Sequence, residues 1–311
     1  CKGSMTRDIL VQLMEWRKSG NHREIGSFEV TLTKWVSTKK RFKVFNKERI
    51  QVGYLVKEHV DYLEKNSFLD YIFGGCEISL MIAIDFTGSN RSPKDPRSTH
   101  YVGKNGKYRN EYISAIETVG NILKFYDSDN QIPVYGFGAR LPPQFQTVSH
   151  CFALNENYFY PEVDGIEGVI DVYKEAIHRI TFHGPTIFSQ VIRTAADIAL
   201  AEEVSQDNQK YFILFILTDG VIDDMEPTIN EIVRASSLPL SVLILGLGKE
   251  EDEEEINKKF EKMDRLDADK EPLYSPLYDK QMDRDIVQFV PYNLYKNNPK
   301  ELSRQVLAEI P

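Results

Sequence analysis

Ile78-Ser79-Leu80-Met81-Ile82-Ala83-Ile84 runs directly into Asp85-Phe86-Thr87-Gly88-Ser89, and this stretch decides the fold. An apolar run of strand length with few polar breaks reads as a strand buried on both faces, as in a parallel sheet. It ends in a carboxylate and two hydroxyls. A second such strand, Tyr211 to Thr218, ends in Asp219-Gly220, and an isolated Gly184-Pro185-Thr186 lies between the two. In doubly wound sheets, ligands bind beyond the carboxyl ends of the strands. Asp85 and Asp219 both fall at such ends, and alternation after Asp85 lets Thr87 and Ser89 point the same way. With Thr186 they offer two carboxylates and three hydroxyls. These are hard oxygen ligands, suited to Mg²⁺ or Mn²⁺ and not to zinc or copper. Mg²⁺ takes six oxygens and usually keeps some waters, so the five side chains can reach it directly or through water, and the site is expected to leave a position open for a partner. Asp-x-Thr-x-Ser alone is common in loops, and Asp-Gly alone is turn chemistry. The specific signal is their combination on apolar strand tips.

After Gly74-Gly75, strands alternate with helices. Strands are expected at Ile78–Phe86, Ile132–Phe137, Tyr211–Leu217, Leu240–Leu245 and Ile286–Val290. Helices are expected at Tyr108–Phe125, Ile166–Ile180, Ile187–Val204, Pro227–Ala235, Glu250–Lys262 and Pro299–Ile310. This grammar predicts an α/β fold with a doubly wound, mostly parallel, Rossmann-like sheet covered on both sides. The first part reads as β, with strands at Ile9–Leu13, Ile25–Leu32, Phe42–Phe45 and Gln51–His59 and no helix of convincing length before residue 60. It is expected to be part of an antiparallel sandwich.

The 311 residues allow one large domain and a smaller piece. Residues 1–75 hold 14 Lys and Arg against 9 Asp and Glu, whereas residues 76–311 hold 24 against 38. That asymmetry places a boundary near residue 75. No apolar run reaches the roughly 18 residues of a spanning helix, and the first 30 residues show no signal-peptide core. Cys1, Cys76 and Cys151 are too dispersed for a disulfide framework or a CxxC site, so a reducing compartment is expected. The six histidines show no metal-binding spacing. The chain opens mid-pattern at Cys1-Lys2-Gly3, as expected of a piece of a longer protein.

Asp85-x-Thr87-x-Ser89, Thr186 and Thr218-Asp219-Gly220 resemble the metal-ion-dependent adhesion site of von Willebrand factor A domains. Longer strings are more specific: Phe68-Leu69-Asp70-Tyr71-Ile72-Phe73-Gly74-Gly75-Cys76, Ala83–Asn90, Tyr135-Gly136-Phe137-Gly138-Ala139-Arg140, Tyr211–Met225 and Asp285–Pro291. These resemble the copine family over essentially the whole chain. The resemblance implies that residues 1–70 are the carboxyl-terminal half of a C2-type lipid-binding domain. Residues 71–311 would be the A domain. It implies Asp85, Thr87, Ser89, Thr186 and Asp219 as ligands of Mg²⁺ or Mn²⁺, with the remaining position taken by an acidic side chain of a partner protein. Thr87 stands where many A domains have serine, and Asp223 stands where many copines have threonine, either adding charge beside the ligands or lying on the surface. The implied protein is not an enzyme. It is a calcium-dependent phospholipid-binding protein, cytoplasmic and peripherally associated with the plasma membrane, that recruits protein partners for signalling or trafficking.

In this resemblance the second calcium loop of the C2 domain falls on Glu15–Arg23. Here Glu15, Arg17 and Ser19 replace the usual aspartates, with Arg23 close by. A cation at the loop repels Ca²⁺ and donates no lone pair. Calcium sensing is therefore expected in a C2 domain outside this chain. Lys34, Lys39, Lys40, Arg41, Lys43, Lys47 and Arg49 are interleaved with Trp35, Phe42 and Phe45. Lys39, Lys40, Arg41 and Lys43 are candidate contacts to an anionic phospholipid membrane, each worth about 1 kcal/mol near the surface. Alternatively the aromatics fill the sandwich core. Nucleic acid is disfavoured because the chain is acidic overall.

Three other readings are weaker. Gly136-Phe137-Gly138 and Gly246-Leu247-Gly248 lack the third glycine of a dinucleotide fingerprint. A metal-dependent phosphatase using Asp85 typically needs a second aspartate at the position of Thr87. A copine-like ubiquitin ligase needs a cysteine-rich RING module, which three dispersed cysteines exclude within these 311 residues.

Overall fold

The computed structural model describes residues 5–18, 20–37, 41–58, 68–103, 108–124, 127, 129–248, 253–268 and 271–310. The chain divides into two compact units, Cys1–Asn66 and Ser67–Pro311. This division falls a few residues before both the change in charge and the expected limit at residue 70.

The amino-terminal unit contains one antiparallel sheet in the order β1 (Asp8–Glu15), β2 (Arg23–Thr31), β3 (Arg41–Phe45), β4 (Gln51–Val56). Its register places Ile9, Val11 and Leu13 opposite Val30, Phe28 and Gly26, so one face is apolar. No second sheet forms among the described residues of this unit. The expectation of no helix before residue 60 is corrected. The strand stops at Thr31, and α1 (Leu32–Ser37) follows. Thr31 Oγ1 accepts the Lys34 N–H at 3.2 Å, a local hydrogen bond that favours a helix start over continued strand. The turn also swings Trp35 onto the sheet, where its ring stacks 5.0 Å from Phe42 and 6.0 Å from Phe28.

The carboxyl-terminal unit opens with α2 (Phe68–Phe73) and holds a seven-stranded sheet. Its long path is β7 (Glu162–Asp164), β6 (Gln131–Phe137), β5 (Glu77–Asp85), β8 (Lys210–Thr218), β9 (Leu240–Gly246), β10 (Val287–Pro291). Only the edge strand β7 runs antiparallel in that path, and the short strand Phe152–Ala153 pairs antiparallel with β6. In sequence order the path reads 3-2-1-4-5-6, the doubly wound order.

Alternate side chains of the central strands enter separate cores, which is why β5 is apolar from Leu80 to Ile84 and β8 from Tyr211 to Leu217. Ile82, Ile84, Phe215 and Leu217 pack with α3 (Glu111–Leu123), α4 (Gly165–Arg179) and α8 (Pro299–Val306). Met81, Ala83, Leu214 and Ile216 pack with α5 (Ser189–Ala201), α6 (Met225–Ala235) and α7 (Glu253–Asp264). A fully buried aliphatic or aromatic side chain contributes roughly 1.5–3 kcal/mol, so slipping β5 or β8 by one residue would be costly. The strand tips are therefore held in register, and the loops that follow them are displayed from a rigid base.

Candidate metal centre

In the parallel ladder between β5 and β8, Ile84 is opposite Leu217. The next residues along, Asp85 and Thr218, are therefore neighbours at the strand tips. Asp85 is fully buried. Its Oδ1 accepts the Thr87 amide at 2.7 Å and the Thr87 hydroxyl at 2.6 Å, and its Oδ2 accepts the Thr218 hydroxyl at 2.5 Å. The chain of contacts continues from Thr87 Oγ1 to Ser89 Oγ at 2.9 Å, and Ser89 Oγ donates to Asp219 Oδ1 at 2.7 Å. Four of the five expected residues are thus joined in one hydrogen-bonded run. Thr186 reaches the same place by another path. A Cβ added at Gly220 would lie 3.2 Å from Thr186 Oγ1, 3.4 Å from Ser89 Oγ and 3.6 Å from Asp85 Oδ2. Three of the expected oxygens therefore face the space that a glycine side chain leaves open.

Burial pushes the Asp85 carboxyl pKa up. The groups that oppose the shift are the Thr218 and Thr87 hydroxyls and the Thr87 and Asp219 amides. No lysine or arginine is among them. A buried carboxylate answered only by neutral donors is a site that a cation stabilises. Among the described residues, no group of three or more His, Cys, Asp or Glu forms that could hold a metal. A centre at the strand tips therefore draws on hydroxyls, and its all-oxygen set fits Mg²⁺ or Mn²⁺. Asp85, Thr87, Thr186 and Asp219 are buried while Ser89 is exposed, so the cluster has a protein floor and an open side.

A family model described as Copine matches residues 98–311. Over 319 aligned residues the chain is 41% identical to Copine-A of Dictyostelium discoideum, covering all of this chain and 51% of that protein. The chain belongs to the copine family. It spans about half the length of that curated relative. Solved structures give more distant likenesses. One is the mussel byssus proximal thread matrix protein 1 with a zinc-occupied MIDAS motif (14% identity, 76% of this chain and 47% of that one, TM-score 0.38). Another is manganese-loaded TRAP protein of Plasmodium vivax (12% identity, 70% of each chain, TM-score 0.38).

Several residues outside the five expected ligands hold this cluster in place. Thr218 orients Asp85 and also accepts the Gly220 amide at 3.1 Å. Asp223 accepts the Thr186 amide at 2.8 Å and returns its own amide to the Thr186 carbonyl at 2.9 Å, pinning the threonine loop. Asp224 is buried and accepts the Phe188 and Ser189 amides, each at 3.0 Å, where α5 begins. The adjacent carboxylates thus tie the Thr186 loop to the start of α6. Gly138 takes φ +78, and a Cβ there would lie 2.2 Å from Thr87 Cγ2. Its glycine serves close approach to Thr87, which accounts for one of the two GxG sequences without a nucleotide.

His100 is the least expected of these supports. It is fully buried, with Nε2 2.9 Å from the Asp85 carbonyl and Nδ1 2.7 Å from the Tyr173 hydroxyl. Asn110 Nδ2 donates to that hydroxyl at 3.0 Å. Burial lowers the His100 pKa to about 3, with the Asp85 carbonyl opposing the shift. The neutral ring therefore donates from Nε2 to Asp85 and accepts from Tyr173 at Nδ1. The Tyr112 ring stacks 3.9 Å from the imidazole, and its hydroxyl donates to Asn90 Oδ1 at 2.9 Å.

In the amino-terminal unit, Arg41 and Lys43 are exposed on one face of β3 and stand opposite Val56 and Tyr54 of β4. Lys39, Lys40 and Ser19 lie outside the described residues. Phe42 and Trp35 join Phe28 in a half-buried stack, as the core alternative expects, whereas Phe45 is exposed. Within the loop matched to a calcium site, Arg17 lies 3.1 Å from Glu15 as an ion pair.

Proposed function

We propose that the carboxyl-terminal unit is an adhesion-type module that holds one divalent cation, Mg²⁺ or Mn²⁺, and uses it to dock an acidic side chain of a protein partner. The observation that carries this reading is the meeting of two carboxylates and two hydroxyls at adjacent strand tips with the Thr186 hydroxyl from a neighbouring loop, buried below and open at Ser89. Asp85, Thr87, Ser89, Thr186 and Asp219 hold the ion directly or through water. When bound, it supplies a Lewis-acid position for a carboxylate. Thr218 and His100 keep Asp85 oriented, and Asp223 keeps Thr186 in place. Binding in this scheme involves no turnover.

The amino-terminal unit is the second half of a C2-type domain in the same proposal. Arg41 and Lys43, flanked by exposed Tyr54 and Val56, would meet anionic phospholipid. The Arg17–Glu15 pair supports a loop without Ca²⁺, so calcium dependence would come from another part of a longer chain. The protein is then a cytoplasmic, peripheral membrane adaptor for signalling or trafficking.

A peptide-display pull-down tests the docking reading. Acidic sequences should be captured with Mn²⁺ and released by chelation, and Asp85→Ala should capture none. Turnover of p-nitrophenyl phosphate that depends on Asp85 would replace docking with a phosphatase. For the membrane reading, Arg41→Glu with Lys43→Glu should lower partition onto phosphatidylserine vesicles; unchanged partition would remove these residues from the surface.

A further inference from the structure

Tyr158, Phe159 and Tyr160 are three consecutive aromatic residues, exposed by 80%, 83% and 71%. Their loop is not slack. Asn155 Nδ2 donates to the Tyr160 carbonyl at 2.7 Å, and Asn155 Oδ1 accepts the Asn157 amide at 3.0 Å. Asn157 Oδ1 in turn accepts the Phe159 and Tyr160 amides, each at 3.2 Å. The Tyr158 and Phe159 rings meet edge to face at 5.8 Å. Two asparagines therefore hold rings in water that would be hidden if the loop served only to connect strands. Solvent-facing aromatics on a pre-organised loop are a recognised basis for binding, because little ordering entropy remains to be lost.

Tyr158 and Phe159 form one wall of a groove of about 580 Å³, which also reaches Tyr135 and Phe152. The groove carries acid along its rim. Asp197 and Glu202 are answered by Arg234 and Lys210. Asp129 and Glu162 are exposed and form no ion pair among the described residues. The groove thus combines apolar walls, aromatic faces and two uncompensated negative charges. This combination favours a cation on an apolar stem, since a guanidinium or ammonium gains from both the carboxylates and the ring faces.

We propose that this groove is a second protein-docking surface, separate from the metal centre, whose occupant is a partner segment with alternating basic and apolar side chains. Arginine or lysine meets Asp129, Glu162 and the Tyr158 and Phe159 rings, while the apolar residues enter towards Tyr135 and Phe152. The surface selects charge opposite to that selected at the metal centre, so one unit can hold two unlike partners.

The test is fluorescence anisotropy with the whole chain and a short labelled peptide alternating arginine and leucine. Arginine–serine and glutamate–leucine peptides serve as comparisons. The arginine–leucine peptide should bind, in buffer with or without a chelator, and the other two should bind at least about tenfold more weakly. Phe159→Ser should weaken it by about tenfold, as expected for an aromatic anchor. Glu162→Gln should weaken it by a few fold and flatten its salt dependence. Both side chains are exposed, and an unchanged melting temperature confirms that the variants fold. Equal binding of the arginine–serine peptide would reduce the effect to general attraction by an acidic protein and overturn the proposal. So would unchanged affinity in both variants, or a wild-type dimer that Phe159→Ser dissolves, which would assign the aromatics to self-association. Loss of Mn²⁺ binding in these variants would instead mean that the groove and the metal centre are one site.

Discussion

Gly220→Ala separates the metal centre from the stability of the fold. The added methyl would sit 3.2 Å from Thr186 Oγ1, 3.4 Å from Ser89 Oγ and 3.6 Å from Asp85 Oδ2. Only the first contact is tight, and a threonine hydroxyl can yield by a few tenths of an ångström. Gly220 is not among the glycines with positive φ, so alanine meets no left-handed strain. Gly-to-Ala changes at such positions stabilise by about 0.4–1 kcal/mol through the unfolded chain. Crowding of Thr186 offsets part of that. The net change should stay within about 1 kcal/mol, or roughly 2–4 °C in melting temperature for a unit of this size. Metal binding has no such compensation, because the methyl occupies space that three ligand oxygens face and moves Thr186 away from it. Changes that disturb the supports of metal ligands typically cost 10–100-fold in affinity. Titration calorimetry with MnCl₂, paired with thermal melting, reads both quantities. A G220A protein that melts like wild type and binds Mn²⁺ as tightly would refute the assignment of this space to the ion.

Three further outcomes follow from the supports around the site. Gly138→Ala should destabilise the carboxyl-terminal unit by about 2–5 kcal/mol, combining left-handed backbone strain with overpacking against Thr87 Cγ2; a urea midpoint equal to wild type would contradict it. Thr218→Val keeps the shape but removes the hydroxyl donor to Asp85 Oδ2 and the acceptor for the Gly220 amide. It should cost about 1–3 kcal/mol in stability and weaken Mn²⁺ binding, both measured by calorimetry. His100 should remain neutral with its proton on Nε2 from pH 8 to pH 5 in ¹⁵N NMR spectra. Its folded pKa of about 3 lies below the ordinary 6.5. The unfolded chain therefore binds a proton first, and His100's contribution to stability is complete above pH 6.5 and lost as pH falls towards 3, by up to about 1.4 kcal/mol per pH unit. A His100 resonance titrating near pH 6.5 would reject the network drawn around Asp85.

The central sheet was legible because its burial is two-sided. Ile82 and Met81 enter different cores, and the sequence can satisfy both only by being apolar at successive positions from Leu80 to Ile84. The clustering of Asp85, Thr87, Ser89 and Asp219 was legible for the same reason, since polar residues that end such a run must stand at a strand tip. The supports were not legible. His100 is one histidine among six, and nothing in its neighbours announces that it reaches the Asp85 carbonyl fifteen residues back. Asp224 looked like one more acidic residue in an acidic region, yet it receives two amides from the start of α5. Gly136-Phe137-Gly138 had the look of a weak nucleotide motif because sequence cannot show that Gly138 lies against Thr87. Alternation from Phe28 continues through Leu32 and so conceals the helix after Thr31, where a threonine hydroxyl outweighs it locally. The groove beside Tyr158 escaped for a different reason: a run of aromatics reads as core until its exposure is known.

Anomalous diffraction from crystals grown with Mn²⁺ tests for the ion at the strand tips. The predicted result is a single strong manganese peak bounded by Asp85, Thr87, Ser89, Thr186 and Asp219, reached directly or through water, with its open position on the Ser89 side. A map with no manganese among these residues, or with its only peak elsewhere on the molecule, would contradict it.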